Sequence, residues 1–97
     1  MISAQVLSDL TNEREYQIQK WGTDADDRIN TPMDFVGYIA HHSTRWFNGG
    51  FRPYSKETLQ NYRQEMIKTA TLAIAAVESV DKILDGTNTR EDVLNVS

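Results

Sequence analysis

The chain has 97 residues, a net charge of −4 at pH 7 and no cysteine. With 39% apolar and 25% charged residues it has an ordinary globular composition, which predicts a single domain over residues 1–97. The lack of cysteine excludes disulfides, zinc-thiolate sites and thiol catalysis. Because no signal peptide and no bilayer-length apolar run is evident, we expect a cytoplasmic protein that binds no membrane.

Residues 3–21 are predicted to form the first helix, with Ser3 as its N-cap and Gly22 at its end. Arg14 lies in the middle of the apolar stripe of this helix and has two explanations. Its guanidinium either pairs with a carboxylate while its stem packs, or points at a ligand between helices. The apolar members of the stripe are Leu7, Leu10, Ile18 and Trp21.

The second helix is predicted over residues 32–47, after an acid-rich linker at 23–30 that we interpret as a solvated loop. Thr31 can cap this helix, and Pro32 suits its first position. Asp34 follows the cap by three residues and completes a capping box.

The third helix is predicted over residues 55–85, capped by Ser55 and stopped by Gly86, and would be roughly 45 Å long. Its apolar surface is too wide for two shorter helices to cover, which predicts an all-α bundle completed by homo-oligomerisation. A polar tail follows at 87–97, in which residues 89–92 favour one short turn. The most regular apolar stripe of the third helix consists of Leu59, Tyr62, Met66, Ala70, Ala73, Val77, Val80 and Leu84.

Residues 41–56 hold both histidines, three cations, four aromatic residues and no acid, in a chain with a pI near 5.0. A cationic and aromatic patch on an acidic protein suits a small anionic ligand better than a nucleic-acid polymer. Arginine forks match phosphates and aromatic rings match bases, so the set predicts a nucleotide site. The alternative is a loop anchored by aromatic packing, with solvated charges.

The candidate ligand-binding residues fall into three chemical groups. Those for phosphates are Arg45, Arg52 and Lys68, and those for stacking are Trp46, Phe51 and Tyr54. Those for polar contacts are His41, Thr44 and Thr69. From the first helix, Arg14, Lys20 and Trp21 would close the pocket.

Four acids offer a different chemistry, because two-metal phosphate hydrolysis needs carboxylates on facing helices to hold magnesium. Asp9 and Glu13 lie one turn apart on the first helix, and Glu78 and Asp81 lie one turn apart on the third. They could face each other across a bundle, or they could be solvated surface acids. The two histidines are adjacent, which disfavours their joint chelation of one metal.

Residues 13–22 read EREYQIQKWG, which resembles the ERxxQIxKWG pattern in the first helix of short phage-encoded MazG-like proteins. These belong to the all-α nucleotide pyrophosphohydrolase superfamily, and residues 65–81 resemble its alanine-rich last helix. The resemblance implies an all-α subunit, oligomerisation through helices and a nucleotide bound between them.

The enzymes of that superfamily carry an ExxE magnesium pair on the second helix, where residues 34–42 of this chain hold no glutamate. By size and all-α form the chain is also similar to phage proteins that sequester the signalling nucleotides of bacterial immunity. We therefore expect a phage-encoded protein that binds a phosphorylated nucleotide, linear or cyclic, without turnover or cofactor, in the cytoplasm of an infected bacterium. The alternatives are a magnesium-dependent nucleoside triphosphate pyrophosphohydrolase and a protein-binding adaptor.

Overall fold

A computed structural model describes residues 1–24, 29–44, 54–91 and 93 of the chain. It confirms an all-α fold of three helices, with no strand in these ranges. The helices are α1 (Ala4–Asp24), α2 (Pro32–Thr44) and α3 (Lys56–Leu84). The predicted residues 45–47 of the second helix lie outside the described part of the chain.

The helix starts follow the predicted capping chemistry. Ser3 Oγ accepts a hydrogen bond from the backbone amide of Val6 at 3.2 Å, and Ser55 Oγ accepts one from Thr58 at 3.0 Å. At α2 the capping box is complete, because the Thr31 amide donates to Asp34 Oδ2 at 2.8 Å and the Asp34 amide to Thr31 Oγ1 at 3.3 Å. These short-range bonds satisfy amides that the first helical turn leaves without partners.

The ends of α1 and α3 both use glycine at positive φ. Gly86 has φ 83° and follows α3, where the amide of Asn88 bonds the carbonyl of Lys82 at 2.9 Å. Gly22 has φ 75° and ψ 165°, so the regular part of α1 ends at Trp21 although helical bonding continues to Asp24. Only glycine adopts such angles without strain.

Helix α3 is the central element of the fold. Both α1 and α2 pack against it, and within the described ranges they do not pack directly against each other. His42 contacts Glu65 while Asn30, just before α2, contacts Arg90, just after α3, so α2 runs antiparallel to α3. This arrangement leaves a gap above α3, between α1 and α2.

The core of one chain is small. Among the described residues only Phe35, Ala75 and Ile83 are buried apolar side chains. Polar side chains also lie in the contacts between the helices. Gln17 Nε2 donates a hydrogen bond to Thr71 Oγ1 at 2.9 Å, and both side chains are buried. So small an apolar core contributes little stability to one chain.

Arg90 extends the contacts beyond α3. Its Nη1 donates to the carbonyl of Asn30 at 2.7 Å, and the residue is 8% exposed. The amide of Val93 then bonds the carbonyl of Arg90 at 3.1 Å, which forms a turn. The start of the tail is thereby held against the segment that precedes α2.

The molecule is elongated, with principal extents of 53, 30 and 27 Å. No helix within the described ranges combines the length and the apolar character needed to cross a bilayer.

Candidate functional site

A cavity of about 420 Å³ occupies the gap between the three helices. From α1 it is lined by Arg14, Gln17 and Trp21, which the three- and four-residue spacing places on one face of that helix. The remaining lining residues are Gly22, Ile29, Asn30, Phe35, Tyr38, His41, His42, Leu72 and Ala75. The volume lies within the usual range of small-molecule sites.

Helix α2 supplies most of the aromatic wall. The rings of Phe35 and Tyr38 meet edge to face, with centroids 6.4 Å apart. The Tyr38 hydroxyl donates to Asn30 Oδ1 at 3.0 Å, which fixes the ring against the segment before the helix. The rings of His41 and His42 also meet edge to face, at 5.3 Å. These contacts place two phenyl-type rings and two imidazole rings on the α2 side of the cavity.

Arg14 pairs with a carboxylate, as the first of the two explanations predicts, whereas the ligand contact of the second explanation stays a prediction. Its Nε donates to Glu78 Oε1 at 3.1 Å, and its side chain, only 14% exposed, lines the cavity. His42 is held in a similar way, with its Nδ1 3.0 Å from Glu65 Oε2. Each of these two groups is therefore oriented by a carboxylate that does not itself line the cavity.

The described residues of the cavity wall include a positively charged side chain and no negatively charged one. None of the lining residues named above is acidic, whereas Arg14 is a permanent cation and His41 and His42 contribute imidazole rings. An anionic or electron-rich ligand would thus meet no carboxylate among the described lining residues. The aromatic rings offer stacking faces to a planar group.

The structure brings together three of the residues predicted from sequence, Arg14, Trp21 and His41. Lys20 lies beside them, with its Nζ 4.8 Å from the ring centroid of Trp21. Sequence reasoning missed the other lining residues, although Gln17 follows Arg14 by three positions and Phe35, Tyr38 and His42 follow one another at helical spacing. This helical spacing is the sequence signal that could have identified these lining residues.

The other predicted residues lie elsewhere. Lys68 borders a second, more open cleft of about 490 Å³ together with Asp9, Glu13 and Arg63. The hydroxyls of Thr44 and Thr69 donate to backbone carbonyls of their own helices, and Tyr54 is exposed before α3. The predicted ligand residues outside the described part of the chain are Arg45, Trp46, Phe51 and Arg52.

The four acids proposed for a metal centre are divided between different surroundings. Asp9 pairs with Arg63 at 2.7 Å and Glu78 with Arg14, Glu13 borders the second cleft, and Asp81 is exposed. Within the described ranges, no three His, Asp or Glu side chains come together as a group that could hold a metal ion.

The ion pair between Asp9 and Arg63 should make stability depend on pH. The hydrogen bond from Arg63, supported by one from Gln5, lowers the pKa of Asp9 below its ordinary value. A lowered pKa in the folded state stabilises the fold above about pH 4, and this contribution is lost as the pH falls through the folded pKa.

We therefore expect Asp9→Asn to reduce the free energy of unfolding at pH 7 and to have no effect near pH 2, measured by urea denaturation across this range. Glu15→Gln, an exposed change on the same helix, is the control. An equal loss for Asp9→Asn at both pH values would contradict the electrostatic explanation.

Comparison of the chain with known protein families, with curated proteins and with solved structures finds no match. The chemistry of the cavity therefore rests on its own residues: in the described part of the chain its wall is aromatic, holds no acid and includes the guanidinium of Arg14.

Proposed function

We propose that the chain binds a small phosphorylated nucleotide in the cavity between its helices and holds it without turnover. The observation that carries this proposal is the composition of the wall, which combines aromatic rings, imidazoles and a guanidinium and includes no carboxylate among the residues that the structure describes. Aromatic faces stack on bases, and arginine recognises phosphate through paired hydrogen bonds. The cavity volume of about 420 Å³ suits a ligand of this size.

Two observations support binding over hydrolysis. The resemblance to MazG-like proteins at residues 13–22 breaks off at the second helix, where residues 34–42 hold no glutamate for the ExxE magnesium pair. Two of the four remaining candidate acids, Asp9 and Glu78, are engaged by arginines. A phage-encoded protein of this kind would act as a sponge for an immune signalling nucleotide in the cytoplasm of the infected cell.

The binding mode is tested with two cavity variants and a matched control. Trp21 is 57% exposed and His41 is exposed, so neither Trp21→Ala nor His41→Ala should disturb folding. Loss of one stacking ring is worth about 1–3 kcal/mol, or about 5- to 150-fold in affinity. Tyr16→Ala removes a similarly exposed ring of the same helix that does not line the cavity, and should leave affinity unchanged.

The measurement is native mass spectrometry with ATP, a cyclic dinucleotide and ADP-ribose as probes, with and without magnesium. We expect a bound probe that is released intact after denaturation, with weaker binding in both cavity variants. Equal affinities of Trp21→Ala and wild type would place the ligand elsewhere. Magnesium-dependent conversion of ATP to a monophosphate, abolished by Glu78→Gln, would establish the hydrolase instead, and absence of any bound nucleotide would favour the adaptor.

A further inference from the structure

Helix α3 carries an exposed apolar stripe along almost its whole length. Leu59 is 50%, Val77 57% and Leu84 73% exposed, and Ala70 and Ala73 are exposed between them. Met66 and Val80 are half-buried, and Tyr62 is 46% exposed. The α3 stripe is defined by these eight residues.

The α3 stripe lies on the side of the helix opposite to its core. The buried residues of α3 are Thr71, Ala75, Ser79 and Ile83, each four positions after the last. At about 100° per residue, the centre of the stripe lies about 160° around the helix axis from the centre of this buried line. Helices α1 and α2 occupy the buried side, so no other helix of the described part of the chain covers the stripe.

The stripe is symmetric about its own midpoint, which lies between Ala70 and Ala73. Three pairs of its members lie at equal distances from that point, Ala70 and Ala73, Met66 and Val77, and Leu59 and Leu84, while Tyr62 and Val80 are offset by one position. An antiparallel copy of α3 would place Ala70 against Ala73 at the centre, where small side chains allow the closest approach. It would place the two terminal leucines together at each end. A two-fold interface needs this self-complementarity.

The charges beside the stripe have the same symmetry. Arg63 and Asp81 lie 18 positions apart, which is five turns, so they occupy the same flank of the stripe. In an antiparallel pair, residues of the same flank face each other. Arg63 of one copy, which pairs with Asp9 of its own chain, would then lie within one position of Asp81 of the second copy, and the reverse pair would form at the other end.

The exposed area is also larger than a monomer of this mass normally shows. The chain exposes 7270 Å², whereas a compact monomer of 11.1 kDa exposes about 5,700 Å². The difference, about 1,600 Å², exceeds the ~800 Å² that each partner buries in a standard interface. The surface of one chain is therefore large enough for each partner to bury an interface of standard size.

We propose that α3 pairs with α3 of a second copy of the chain, antiparallel and through the α3 stripe, about a two-fold axis between Ala70 and Ala73. The cavity is on the other side of the helix, since its α3 lining comes from Leu72 and Ala75. Pairing leaves the cavity open and does not rest on the proposed nucleotide.

The first test is the mass in solution by light scattering after size exclusion at fixed protein concentrations. We expect the wild-type chain at twice 11.1 kDa. Ala70→Glu places an unpaired carboxylate at the centre of the interface and should raise the dissociation constant at least about 100-fold, with helical content unchanged by circular dichroism. Ala40→Glu, the same change at an exposed alanine of α2, should remain dimeric. A monomeric wild type, or a dimeric Ala70→Glu, would overturn the proposal.

The second test determines whether the two α3 helices run parallel or antiparallel. It uses introduced cysteines, because the native chain has none. Ala70→Cys and Ala73→Cys are purified separately and then mixed under mild oxidation. The antiparallel pair places these positions opposite each other, within the ~7 Å between Cα atoms that a disulfide spans. We expect the mixture to cross-link several-fold faster than either variant alone. Equal or faster cross-linking of each variant alone would indicate a parallel pair and overturn the assigned geometry.

Discussion

Replacement of Phe35 by alanine is expected to lower the free energy of unfolding by about 3–5 kcal/mol. Phe35 is 2% exposed and is the largest apolar side chain buried in the described part of the chain. Truncation loses its burial and its edge contact with Tyr38, and it enlarges the cavity that the ring lines. Because the whole stability of a domain is about 5–15 kcal/mol, this single change should bring the chain close to unfolding at 37 °C.

The measurement is urea denaturation followed by far-ultraviolet circular dichroism, at one protein concentration because association would add to stability. Val36→Ala is the matched control, since Val36 is adjacent on α2 and 54% exposed. It should change stability by no more than about 0.5 kcal/mol. A loss below about 1 kcal/mol for Phe35→Ala would mean that the core lies elsewhere.

The fold was predictable where the determining contacts are local. Thr31 and Asp34 form their capping box with bonds that span three residues, and Ser55 caps α3 over the same distance. Such bonds depend on spacing along the chain alone. The three helices and their ends therefore follow from short stretches of sequence, without knowledge of how the helices pack.

The packing surface of α3 was not predictable in the same way. Its buried line contains Thr71 and Ser79, which hydropathy alone assigns to the surface, while Val77 and Leu84 remain exposed. Apolar periodicity identifies the side of a helix that avoids water. It does not distinguish a surface covered by the same chain from one that a second copy would cover.

The candidate site was predictable only in part, for a related reason. Trp21 and His41 line the cavity as the sequence suggested, but Lys68 borders the other cleft. Which residues of two helices meet depends on how those helices cross, and that geometry is set by buried contacts far apart in sequence. The bond between Gln17 and Thr71 is such a contact, 54 positions apart.

Removal of one partner of the bond between Gln17 and Thr71 should destabilise the fold more than replacement of both partners. Thr71 is 0% and Gln17 5% exposed, and the Thr71 hydroxyl also lies 3.0 Å from the carbonyl of Ile67. Thr71→Val keeps the shape of the side chain but leaves the amide of Gln17 without this acceptor. A buried unsatisfied donor costs about 1–3 kcal/mol, so this single change should be clearly destabilising.

Combining Thr71→Val with Gln17→Leu should restore most of that loss, because both polar partners are then replaced by apolar groups of similar size. The new leucine side chain would pack beside Leu72 and Ala75 on the cavity wall. Urea denaturation of the wild type, both single variants and the double variant gives the coupling energy, which we expect to be about 1–2 kcal/mol. A double variant as unstable as the sum of the two single changes would show that the hydrogen bond does not hold α1 to α3. A near-neutral double variant would mean that the polar pair specifies how the two helices meet, while burial supplies the stability.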